Sequence, residues 1–107
     1  MDFKLTRRLH IAPPGGLTTE GDVTIWSLRF DESKAMWACQ WSMDIVHPNR
    51  ANVLGEDPMD AVSLCLRFLG TLIRGHENDG WRIHWLVEGD HGGFTEFLVG
   101  SDSRTRP

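Results

Sequence analysis

Between Met36 and Ile45 the chain reads MWACQWSMDI, and Trp37, Cys39, Trp41, Met43 and Ile45 alternate with Ala38, Gln40, Ser42 and Asp44. A period of two puts the first set on one face of an extended strand and the second set on the other. The same period runs from Phe3 to Ile11, where Phe3, Leu5, Leu9 and Ile11 alternate with Lys4, Thr6, Arg8 and His10. A further strand is predicted over Val23 to Phe30, with Trp26, Leu28 and Phe30 on one side. DESKA, just before Met36, suits the hairpin turn between that strand and the alternating one. A last strand begins at Trp81, with Trp81, Ile83, Trp85 and Val87 opposite Arg82, His84, Leu86 and Glu88. The breaks APPGG, TTEGD and GDHGGF are turn chemistry, since proline lacks a donor and glycine permits positive φ. TEFLV could add a short edge strand, and the polar GSDSRTRP reads as a disordered tail over residues 100–107 behind a single domain of residues 1–99.

One segment has the longer period. From Asp57 the pattern is that of a helix, with Asp57 as N-cap, Pro58 at the first helical position and Asp60 three residues after the cap. Ala61, Val62, Cys65, Leu66, Leu69, Leu72 and Ile73 share one side, and Gly75 after Arg74 marks the expected end. Leu64 and Phe68 widen the apolar arc to about 200°, beyond what a surface helix needs. Either a curved sheet cradles the helix deeply, or Leu64 and Phe68 meet another chain. Residues 46–57, VHPNRANVLGED, read as a connection longer than the usual median of about five residues. The expected fold class is α+β: a four- or five-stranded, mainly antiparallel sheet in the order β-β-β-α-β, with one long helix packed on one face.

If each strand turns its more apolar face to the helix, all five tryptophans point inward. The outer face then carries Lys4, Arg8, His10, Arg29, Asp44, Arg82, His84 and Glu88, with Ile25, Met36 and Leu86 among them. Bases of single-stranded nucleic acid stack on outward aromatics, so this arrangement disfavours such a ligand. WRIHWLVEGDH, residues 81–91, holds the ingredients of a metal or acid–base site. On a straight strand, however, His84 and Glu88 stand roughly 13 Å apart, too far to share an ion. Asp90 and His91 fall in a glycine-flanked turn, where an aspartate bonds to its own backbone. His10, His84 and a loop histidine such as His47 could still converge across neighbouring strands. Cys39 and Cys65 fall on core faces without zinc-ligand spacing. The serines lack a nucleophile-elbow context, and HPNR, residues 47–50, is a solvated loop or a ligand contact.

Composition narrows the class of partner. The chain of 107 residues has a net charge of −4, 40% hydrophobic residues and two cysteines. This charge opposes non-specific attraction to phosphate backbones and anionic lipid. The most apolar stretch, AVSLCLRFLGTLI, contains Arg67 and falls short of the roughly 20 residues needed to cross a bilayer. The amino-terminal residues lack the apolar core of a secretory signal, and unpaired cysteines suit a reducing compartment, so a cytoplasmic protein is expected. No cofactor and no small-molecule ligand is indicated.

DPMDAVSLCLRFLGTLIRG followed by GWRIHWLVEGDHGGF resembles a family of short bacterial domains of unknown function. That family has an apolar helix ending near an LG pair, then a tryptophan-bearing strand and a GD-x-GF end. Ala61, Leu64, Leu66, Leu69, Gly70, Trp85, Gly89, Asp90, Gly93 and Phe94 match, with one extra glycine before Phe94. The resemblance implies fold and carries no activity. The expectation is therefore a non-enzymatic protein-interaction domain, of inhibitor or toxin-immunity type or self-associating, with Leu64, Phe68, Arg82, His84, Glu88 and Asp90 as candidate contacts. The alternative is a small metal-binding protein or enzyme using His84, Glu88 and Asp90.

Overall fold

The computed structural model describes residues 2–94. Five strands, β1 (Asp2–Ala12), β2 (Thr19–Asp31), β3 (Met36–Met43), β4 (His47–Gly55) and β5 (Arg82–His84), and one helix, α1 (Pro58–Asn78), follow in that order except that α1 precedes β5. The strands form one sheet in the order β4-β3-β2-β1-β5. The class is α+β as the patterns indicate, with one strand more before the helix. Residues 47–55, expected to form a connection, are β4 and pair antiparallel with β3 from Trp37↔Gly55 to Met43↔His47. β4 lies at the edge of the sheet, where a strand draws its hydrogen bonds from one neighbour and needs no apolar alternation of its own.

The helix starts as its punctuation indicates. Asp60 N donates to Asp57 Oδ1 at 2.7 Å, and Asp60 Oδ2 accepts from Glu56 N at 2.8 Å, so two amide groups free of the helical ladder are satisfied reciprocally. It ends later than expected: Gly75 lies inside α1, and the chain turns at Gly80, whose φ is +98°. Ala61, Cys65, Leu69 and Ile73, four residues apart, are almost completely buried.

The described residues divide into two compact units. The first comprises the chain up to Arg8 and Gly21–Cys65. Its core holds Val23, Ile25, Leu28, Cys39, Trp41, Met43 and Ala61. Gly55 is required where β4 runs into α1, because a Cβ there would stand 2.3 Å from the backbone nitrogen of Ala61. The Cys39 and Cys65 thiols are buried and hydrogen-bonded to each other. That bond, then burial, pushes the Cys65 thiol well above its ordinary range.

The second unit comprises, among the described residues, Leu9–Glu20 and residues 66–94. Here the end of β1 pairs antiparallel with β5 through His10↔His84, Ile11↔Ile83 and Ala12↔Arg82. Leu9, Ile11, Leu69, Ile73, Ile83 and Phe94 are its buried side chains. The strand expected over residues 81–88 is three residues long. Its amides at Trp85, Leu86 and Val87 go instead to the carboxylate of Asp90, at 2.9, 2.7 and 3.1 Å. Short-range bonding to an aspartate competes with a sheet ladder for the same donors. TEFLV and the tail lie outside the described residues.

Candidate functional site

The expectation that all five indoles face inward is overturned by one irregularity in β2. Val23, Thr24 and Ile25 pair with Met43, Ser42 and Trp41, whereas Ser27, Leu28, Arg29 and Phe30 pair with Gln40, Cys39, Ala38 and Trp37. Trp26 is the extra residue between Ile25 and Ser27, a β-bulge. Across the bulge the alternation changes phase, so Ile25 and Leu28 both join the core while Trp26 turns to the other face. Only Trp41 among the five is deeply buried, at 2% exposure; Trp26, Trp37, Trp81 and Trp85 are half-buried.

On the outer face Trp26 is held from three sides. Its Nε1 donates to Ser42 Oγ at 2.9 Å. The Arg50 guanidinium carbon lies 3.7 Å from the ring centroid, and Lys4 Nζ lies 5.3 Å from it. Each such cation–π contact contributes about 0.5–1 kcal/mol at an exposed position. Arg50 Nη1 also donates to Gln40 Oε1 at 3.4 Å. The surrounding concavity of about 970 Å³ is lined by Trp26, Arg29, Phe30, Gln40, Arg50 and Asn52, with Asp31 and Glu32 also on its wall. Asp31 is held below its ordinary value chiefly by the Ser33 hydroxyl, against the opposing effect of burial and with help from Lys34.

The other outward cations of this unit are neutralised at home. Arg8 pairs with Asp22 at 2.5 Å, and Arg29 pairs with Asp2. Among the described residues, Lys4 and Arg50 form no ion pair, so the two cations that flank Trp26 are the ones left for something else. Arg50 belongs to HPNR, which is strand rather than loop.

The residues singled out from the sequence distribute differently. His84 stacks on His10, with ring centroids 4.6 Å apart and planes 18° from parallel, as their cross-strand register requires. His47 does not join them: it belongs to β4, at the other end of the strand order from β5, and packs on Trp41 at 4.9 Å. Arg82 donates to the Gly16 carbonyl at 3.0 Å. With β5 so short, the straight-strand separation of His84 from Glu88 no longer applies. Both line a smaller cavity of about 320 Å³ together with Glu77 and Trp81.

Asp90 has the role the turn chemistry implies. Besides Trp85, Leu86 and Val87 it accepts from Gly92 N at 3.1 Å. Burial raises its pKa, but the four amides together outweigh burial and hold it below its ordinary value. His91, in positive φ, donates Nδ1–H to Glu77 at 2.6 Å and ties this loop to the end of α1. Among the described residues no group of three or more His, Cys, Asp or Glu side chains could hold a metal ion. On the helix, Leu64 is half-buried and Phe68 is 42% exposed.

A family model for a domain of unknown function, DUF6968, matches residues 5–96. The chain belongs to the DUF6968 family. The match runs from Leu5 in β1 through β4, the helix and the GDHGGF end that carried the resemblance, so Trp26 and Arg50 lie inside the family domain and Lys4 just before its first matched residue. No curated protein and no solved structure matches this DUF6968 chain. No helix is long and apolar enough to cross a membrane among the described residues.

Proposed function

We propose that this DUF6968 domain is a protein-recognition module whose contact surface is the outer face of the first unit, centred on Trp26 and Arg50. The observation that supports this reading is the β2 bulge, which turns a large indole out of the core and onto a concave face beside two unneutralised cations. Regular alternation in the phase of Leu28 would have put Trp26 in the core. Tryptophan and arginine are the residue types that most often anchor interfaces, because each combines a broad apolar area with a directed polar group. Both are already ordered here, Trp26 by Ser42 and Arg50 by Gln40 and the ring, which lowers the entropy lost when a partner docks. The acidic composition as a whole would suggest a basic partner; the local charge of this face calls for an acidic one.

A photo-reactive side chain at Asn52, on the wall of the same concavity, tests this in cells that make the protein. Cross-linking to one protein, lost in Trp26→Ala and Arg50→Ala chains that melt within a few degrees of the wild type, is the expected result. Equal cross-linking in the variants, or cross-links only to RNA, would remove the proposal.

A further inference from the structure

We infer that the pocket between Lys4, Trp26 and Arg50 takes an aspartate or glutamate side chain of the partner; this deepens the proposed function and rests on it. Four cations of the first unit lie on its outer face: Lys4, Arg8, Arg29 and Arg50. Asp22 and Asp2 neutralise two of them, and the remaining two converge on a single ring. In a chain whose net charge is −4, acids are plentiful, yet among the described residues neither Lys4 nor Arg50 forms an ion pair. The Arg50 guanidinium lies over the Trp26 ring and donates at Nη1 to Gln40, which leaves its other N–H groups for a ligand. A planar fork of N–H groups matches the two oxygens of a carboxylate, and Lys4 adds a second positive charge on the same indole.

The same concavity argues against a polyphosphate. Beyond Arg50 its wall carries Glu32, the Arg29–Asp2 pair and Asp31, which the Ser33 hydroxyl holds below its ordinary value. A nucleic-acid strand would carry repeated charges past these groups, whereas a single carboxylate needs only the Trp26 end. Stacking is also restricted, because the guanidinium of Arg50 already covers the indole that a base would use. Trp41 is 2% exposed, and the alternation of β3 puts Trp37 on the same side as the buried Cys39 and Trp41, so neither offers a second stacking surface beside Trp26. A single carboxylate on a protein partner suits this mixed-charge surface, because neighbouring groups of the partner can meet the acidic side chains of the wall.

Three capped probes, lacking terminal charges where they are peptides, separate the possibilities by calorimetry at low salt: a Gly-Glu-Gly-Glu-Gly peptide, its Gln counterpart, and a ten-residue oligothymidylate. The Glu peptide is expected to bind at least about tenfold more tightly than the Gln peptide, as one charge-assisted contact implies. Arg50→Gln and Lys4→Gln should each remove most of that difference without lowering the melting temperature. Arg8→Gln should leave it unchanged, because Arg8 is occupied by Asp22. Equal affinity for the Glu and Gln peptides, or tighter binding of the oligonucleotide, overturns the carboxylate pocket. If that happens while Asn52 still cross-links to a protein, recognition by this face survives and only the ligand chemistry falls. Loss of both sinks the two together.

Discussion

β3 and residues 81–88, which contain β5, carry nearly the same sequence pattern, and they fold differently. In MWACQWSM every second residue is apolar, and all eight residues lie in a strand with a neighbour on either side. In WRIHWLVE the alternation is equally regular, yet the strand stops at His84. The difference lies in who accepts the amide hydrogens. β3 has β2 and β4 along its length, whereas Trp85, Leu86 and Val87 find the Asp90 carboxylate a few residues ahead. Alternation states which side chains can share a face. It does not supply the partner that makes an extended segment a strand.

The sharpest way to break the β3 side of this comparison is at its join to the helix. Gly55→Ala places a methyl group against the Ala61 backbone, which has no flexible side chain to yield, and should cost about 3 kcal/mol or more. Urea unfolding checks it, and a loss under 1 kcal/mol would show that β4 and α1 part easily. Trp41→Ala should cost about 3–5 kcal/mol, whereas Trp26→Ala should cost no more than about 1–2 because its ring is half-buried on the outer face. Similar costs for the two would mean that the bulge does not separate their environments.

On the other side, Asp90→Ala removes the shared acceptor of four amides and should cost about 1–3 kcal/mol, with faster hydrogen exchange at Trp85, Leu86 and Val87. Exchange at Cys39 and Gln40 in β3 should not change.

The smallest effect concerns acidity. Because Asp90 is held below its ordinary carboxylate value of 3.8 in the folded chain, it binds a proton less readily folded than unfolded. Its contribution to stability is therefore complete above about pH 4 and is lost as pH falls from there through the lowered folded value. The Asp90→Asn chain should show a shallower decline over that acid range, measured as melting temperature against pH; parallel curves would assign the acid sensitivity elsewhere.

Part of the Trp26 face was legible in the residues, though in a form easily misread. VTIWSLRF has apolar side chains at Val23 and Ile25, then at Leu28 and Phe30, so its alternation changes phase at Trp26–Ser27. Reading a single phase through the whole strand puts Trp26 with Leu28 and leaves Ile25 outside, the reverse of what occurs. Counting the two phases separately would have called for a bulge and sent the indole outward. Arg50 had no such signal. HPNRANVLG lacks alternation because an edge strand exposes much of both faces, and its identity as a strand comes from β3 alone. The cap at Asp57 and the self-bonding turn at Asp90 were read correctly because both depend on residues within five positions of each other. Gly75 misled as a stop for the helix: its position has open space and ordinary helical backbone, and the next glycine with positive φ is Gly80.

The amino-acid order by itself determined the period of each segment, the start of the helix, the burial of both cysteines and the acidic character of the chain, because these depend on side-chain type at short spacing. Tertiary structure decided that residues 47–55 become a fourth strand, that β5 stops after three residues, and that Lys4 and Arg50, far apart in the chain, meet on one indole. Those outcomes turn on which distant donor, acceptor or ring reaches a group first, and that competition is settled only when the strands lie side by side.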